Sequence, residues 1–100
     1  MAQETLNSEK IIKKIEAKGK DIRKYTVKKL GLFGSYAKNK QHMQSDVDIL
    51  VEFEKPTFDN YTDLLLFLEN TLKKKVDLVI EKDLHPTLKY VKKEARYVKL

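Results

Sequence analysis

The sequence predicts an α/β fold, a small mixed β-sheet packed with helices. Three observations carry this. Apolar residues at helical spacing and apolar residues in strict alternation take turns along the chain. Val47, Ile49, Val51 and Phe53 alternate with Asp46, Asp48, Leu50 and Glu52, the mark of a two-faced strand. Leu64, Leu65, Phe67, Leu68 and Leu72 form one apolar helical stripe. The resulting order is helix, strand, helix, strand, helix, strand, helix, which builds a sheet covered by helices.

The elements follow in order. Residues 6–23 read as an amphipathic helix capped by Asn7 or Ser8, with Ile11, Ile12, Ile15 and Ile22 near one face and Gly19 weakening its end. Residues 26–33 read as a strand that delivers Leu30, Leu32 and Phe33 into Gly34. A short helix is expected at 35–40, then a polar loop at 41–45. The alternating strand covers 46–53 and stops before Pro56, because proline cannot continue a ladder. A helix over 60–73 leads to a third strand at 76–80. A final helix is predicted over 86–97, with Pro86 well placed in its first turn.

One hundred residues set the expectation of a single minimal domain, 1–100, with one modest core. Without cysteine, disulfides and thiolate–metal sites are excluded, which fits a cytoplasmic protein. The first residues show no basic stretch followed by an apolar run, so no secretory signal is expected. The longest strongly apolar stretches are about eight residues, against ~20 for a membrane span. The net charge of +6 is compatible with polyanionic ligands or with lysine-rich solvated helix faces. Few aromatics interleave with the lysines, so a platform for single-stranded nucleic acid is not indicated.

The segment from Gly34 to Asp48 carries the chemistry. Gly34-Ser35 is followed by ten residues and then Asp46-Val47-Asp48. A glycine between strand and helix lets backbone approach a phosphate, and the helix start offers free amides. Ser35 adds a hydroxyl donor. Alone, Gly-Ser is more often an ordinary turn glycine and an N-cap serine. Asp46 and Asp48 are two apart on a strand, with α-carbons ~6.5–7 Å apart on one face. They suit one or two hard cations, or simply a solvated outer face.

Strand directions sharpen this. For Gly34-Ser35 and the aspartates to face one ligand, the strands on either side of residues 35–45 must be antiparallel. The helical crossover at 60–73 then makes the third strand parallel to the second. Asp77 would lie beside Asp46 and Asp48 at the same edge. His42 and His85 read as surface and structural histidines, and Tyr36 as either packing or a stacking surface.

Gly34-Ser35-Tyr36-Ala37 followed by Ser45-Asp46-Val47-Asp48-Ile49-Leu50-Val51 resembles the minimal nucleotidyltransferases of the DNA polymerase β-like superfamily. The likeness covers nearly the whole chain. It implies the polymerase β-like fold and magnesium-dependent transfer of a nucleoside monophosphate from a triphosphate, with ATP as co-substrate. By the resemblance, Gly34 and Ser35 bind the β- and γ-phosphates, with Lys38 beside them. Asp46, Asp48 and Asp77 are the catalytic and metal residues, holding two Mg2+ ions, and Asp77 also helps deprotonate the acceptor. One departure stands out: Lys38-Asn39 occupies the place where family members often carry Arg-Gly, and lysine lacks the planar fork of arginine.

Larger relatives use extra domains to select an acceptor. The resemblance to the minimal type implies instead a HEPN-domain toxin as partner and acceptor. The chain would be the antitoxin of a type VII-like pair that adenylylates a tyrosine of the toxin. Two alternatives remain open: an antitoxin that masks its partner without chemistry, and a nucleotidyltransferase subunit acting on a small molecule. A membrane is not expected, nor is nucleic acid as the direct substrate.

Overall fold

The computed structural model describes residues 6–42 and 44–100. The five residues that open the chain, and Met43 of the expected 41–45 loop, lie outside them. Among the described residues no helix is long and apolar enough to cross a membrane.

The element order is α1 (Ser8–Glu16), α2 (Gly19–Arg23), β1 (Val27–Phe33), α3 (Gly34–Ala37), β2 (Val47–Phe53), α4 (Phe58–Leu72), β3 (Val76–Ile80), α5 (Tyr90–Glu94) and β4 (Arg96–Tyr97). The sheet runs β3-β2-β1-β4. As the sequence predicts, β1 and β2 are antiparallel and β2 and β3 are parallel.

The first face of the sheet is the dry one. Val47, Ile49, Val51 and Leu78 project onto it and join Ile11, Ile15, Leu64, Leu68 and Leu72 from α1 and α4 in one cluster. Each fully buried Leu or Ile contributes roughly 1.5–3 kcal/mol. Asn7 caps α1 by accepting the Lys10 amide at 2.9 Å. Thr57 caps α4 through the Asn60 amide at 3.1 Å, so that helix starts two residues before the expected 60.

Two expectations are corrected. The helix expected over 6–23 breaks after Glu16 and restarts at Gly19, the position of weakest helix propensity in the stretch. The helix expected over 86–97 is replaced by a 3-10 turn (Pro86–Leu88), the five-residue α5 and then extended chain. The reason is the open edge of β1. Gly31 and Leu32 pair with Tyr97 and Arg96, and the Val98 amide donates to the Leu30 carbonyl at 2.8 Å. Pairing a buried strand edge outweighs local helical spacing.

The second face carries Phe33, Asp48, Asp77 and Val79, in register across three strands. Residues 81–94 return over this face from β3 at one edge to β4 at the other, with Val91 buried. Leu50, on the polar side of its strand, is consequently only 1% exposed.

Candidate active site

The site forms where β1 ends. Gly34 follows Phe33 with φ +75, a left-handed conformation that disfavours any side chain. A Cβ there would also collide with the Asp48 carboxylate, lying 2.9 Å from its Cγ. The glycine is therefore fixed twice, by its backbone angle and by the aspartate packed against it. Ser35 and Tyr36 follow in α3, a helix of four residues. So short a helix has little macrodipole, so the anion-binding capacity of the turn rests on bare backbone, the Ser35 hydroxyl and Lys38.

Lys38 is held by Glu94 of α5, Nζ to Oε2 at 3.3 Å. Asn39 has φ 55. Asparagine is among the few residues that enter the left-handed region at low cost. It thus supplies the conformation that a glycine would supply in Arg-Gly, and the departure at this position changes the cation more than the backbone. The Asn39 side chain accepts from Ser8 Oγ at 3.3 Å, and Arg96 donates to the same oxygen at 2.6 Å. The turn is thereby tied to α1 and β4 at once.

The three aspartates sit at the same end of the sheet. Asp48 lies directly opposite Phe33 on β1 and Asp77 on β3. Asp46 stands one residue before β2 rather than within it, and is exposed. Burial, then the charge of Asp77, then that of Asp46, together with a hydrogen bond to the Asp77 carboxyl, push the Asp48 carboxyl up to about 6. Tyr61 on α4 feels the same charge: burial and then Asp77 raise its phenol. Its hydroxyl donates to the Leu78 carbonyl at 2.6 Å.

This donor set suits a hard divalent cation. The carboxylates are oxygen ligands that repel one another, and a cation relieves that repulsion. Among the described residues no three His, Cys, Asp or Glu side chains already converge as a metal cage. Mg2+ does not require one, since it is commonly held by one or two carboxylates, waters and substrate phosphates.

Beside the aspartates lies a cavity of about 390 Å³. Phe33, Asp77 and Val79 form its sheet side, and Leu84, Leu88 and Tyr90 are among those on the returning segment. Gly34 and Lys38 also border it. Sequence reasoning missed this part of the site. Gly31 was the available signal: a glycine inside a strand marks close approach, and here the Tyr97 ring comes within 2.9 Å of where its Cβ would be. His85 caps the 3-10 turn, accepting the Thr87 amide at 3.2 Å, and also lines the cavity. Tyr36 is 3% exposed with Lys74 over its ring at 5.7 Å, which makes it a packing residue. His42 Nδ1 accepts the Gln44 amide at 3.3 Å.

Residues 8–98 match the family described as a nucleotidyltransferase domain. A candidate protein adenylyltransferase of Methanocaldococcus jannaschii is 47% identical over 87 residues, covering 82% of this chain and 85% of that protein. The protein adenylyltransferase MntA of Thermococcus cleftensis is 39% identical over 96 residues, covering 93% of this chain and 97% of its own length. A solved candidate minimal nucleotidyltransferase matches with a TM-score of 0.81 and 31% identity, over 98% of this chain and all of that one (100%). A toxin–antitoxin solved with AMP-PNP matches with a TM-score of 0.65 and 25% identity, over 82% of this chain and 70% of that one. The mixed four-stranded sheet with its helices is the minimal nucleotidyltransferase fold.

Proposed function

We propose that this chain, which belongs to the nucleotidyltransferase domain family and is a nucleotidyltransferase, serves as a cytoplasmic antitoxin that transfers AMP from ATP to a tyrosine of a HEPN-domain toxin. The observation that carries the reading is the placement of Asp46, Asp48 and Asp77 at the same end of the sheet, with Gly34 packed against the Asp48 carboxylate. Relatives named as protein adenylyltransferases support the transferred group and the class of acceptor. The similar toxin–antitoxin with AMP-PNP supports a nucleotide and a toxin partner. The HEPN identity and the tyrosine come from the family resemblance.

Asp46, Asp48 and Asp77 would hold the magnesium, two ions in this reading. Bound there, the metal neutralises phosphate charge and polarises the α-phosphate. The chain's own residues do the rest. The bare backbone at Gly34 admits the β- and γ-phosphates, and the Ser35 hydroxyl donates to them. Lys38 exchanges Glu94 for phosphate oxygen. Asp77 accepts the phenol proton of the acceptor tyrosine. The phenolate oxygen bonds to the α-phosphorus, the bond from that phosphorus to the bridging oxygen breaks, and pyrophosphate leaves. Positioning and charge neutralisation supply most of the acceleration in such transfers.

The test combines the chain, ATP, Mg2+ and the protein encoded by the neighbouring gene, followed by intact mass measurement of that protein. We expect the partner to gain the mass of one or more adenylyl groups, and Asp46→Asn with Asp48→Asn to abolish the gain. An unmodified partner that the double variant still neutralises would replace the reading with masking by binding alone.

A further inference from the structure

β3 ends the sheet, so one of its edges has no strand beside it. In-line displacement puts the entering oxygen opposite the leaving pyrophosphate. The pyrophosphate departs at the Gly34-Ser35 end of β1, and Phe33, Asp48 and Asp77 stand in register across β1, β2 and β3. An acceptor therefore arrives over β3, from the open edge.

Two features flank that approach. The first is the turn at 73–75, where Lys73 and Lys75 are exposed. Lys75 stands two residues before Asp77, the spacing that puts side chains on one face of a strand. The turn is fixed at both ends. The Lys73 amide donates to the Glu69 carbonyl at 2.8 Å and the Val47 amide to the Lys75 carbonyl at 2.9 Å. Its cations are thus presented with little backbone ordering left to do. The second feature is an open groove of about 440 Å³ bordered by Phe58, Tyr61, Leu78 and Ile80. Phe58 is 80% exposed there. The groove shares Val79 and Asp83 with the cavity beside Asp77, so the two adjoin. Strand addition is disfavoured on this edge, because α4 side chains already take up its backbone groups. The Val76 amide donates to the Glu69 carboxylate at 3.0 Å, and the Tyr61 hydroxyl donates to the Leu78 carbonyl. Recognition is left to side chains.

We propose that the open edge of β3 is the docking surface for the acceptor protein, which sets an apolar side chain into the groove against Phe58 and carboxylates against Lys73 and Lys75. The proposal rests on the reading of a triphosphate at Gly34-Ser35 and a protein as acceptor, and extends it to the acceptor's footprint. A buried aromatic anchor supplies most of the affinity of such surfaces, and charges at the rim steer the encounter.

The experiment titrates the full chain with the protein encoded by the neighbouring gene by calorimetry, with Mg·ATP affinity measured alongside. Phe58→Ser should weaken the partner about tenfold or more. Lys73→Glu with Lys75→Glu should weaken it about tenfold and flatten the salt dependence of binding. Both should leave Mg·ATP affinity unchanged. Leu66→Ser, at an exposed apolar position of α4 outside the groove, should leave the partner's affinity unchanged. Wild-type partner affinity in Phe58→Ser or in the lysine variant overturns the proposal. An equal loss in Leu66→Ser moves the partner to the outer face of α4 and overturns it too. Lost Mg·ATP affinity in the lysine variant assigns the turn to nucleotide phosphates, with the same consequence. No binding by wild type overturns the docking surface, while a gain in the partner's mass would still uphold transfer. A partner bound as expected but never adenylylated upholds the surface and overturns the transfer reading alone.

Discussion

On one face of the sheet, Ile11, Ile15, Leu64, Leu68 and Leu72 close over Val47, Ile49 and Val51 as a dry layer built by two helices. On the other, Asp48, Asp77 and Phe33 stand under a single return of chain made of short turns, with Val91 and Leu50 as its buried apolar pair. The first face holds the fold together with little chemistry. The second gathers like charges that disfavour folding and turns them toward a ligand. Because β2 alternates, one strand serves both: its odd residues anchor the core and Asp48 is thereby fixed in place.

The largest expected effect breaks the comparison on the packed face. Leu68→Ala should cost about 2–5 kcal/mol, and Val91→Ala distinctly less, roughly 1–2 kcal/mol, in urea unfolding. Equal losses would mean that the returning segment is as integral to the core as α4. Next comes Gly34→Ala, which forces a strained angle and drives a Cβ into Asp48. Small displacements of reacting groups cost about a hundredfold, so transfer should fall by at least that much. The loss should exceed anything the modest drop in melting temperature explains.

How far the two faces were legible from sequence follows the same division. The dry face announces itself, since the alternation of Val47 to Phe53 and the Leu64–Leu72 stripe state which side is buried. The donor end was legible too, because Gly34, Ser35, Asp46 and Asp48 lie within one local excursion and strand direction then places Asp77. The returning segment was not. Its spacing reads as a helix over 86–97, and only the open edge of β1, a long-range demand, converts residues 96–97 into a strand. The cavity is likewise a product of that return, and no local pattern of Leu88 or Tyr90 encodes it. Asn39 lies between these cases: its residue type permits the left-handed angle but does not reveal it.

A pH titration sharpens the contrast. The metal-free Asp48 carboxyl sits at about 6 in the fold against 3.8 for its unperturbed value. Its protonated form is favoured by folding, so this stabilisation is full below about pH 4 and is lost as pH rises through about 6. Asp48 is partly exposed, so solvent screening reduces the effect to on the order of 1 kcal/mol. The difference in unfolding free energy between wild type and Asp48→Asn, followed from pH 4 to 7, should show the variant gaining relative stability with rising pH. Added Mg2+ should shrink that gain at pH 7. A flat difference would mean that the carboxylates do not repel as placed.

The smallest effect concerns Lys38. Lys38→Ala should weaken Mg·ATP about fivefold, roughly 1 kcal/mol for one partly exposed charge. Glu94→Gln should move affinity less than about threefold in the opposite direction, by freeing Lys38. Both shifts are readable by calorimetry, and opposite signs are the required outcome.

The most direct test of the central claim is the rate of AMP transfer to the partner protein by Asp77→Asn. Asp77 lies outside the local motif and reaches the site only through the parallel pairing of β2 and β3. The account requires a folded variant that still binds Mg·ATP within several-fold of wild type and transfers AMP at least about a hundredfold more slowly. Transfer at the wild-type rate would contradict it.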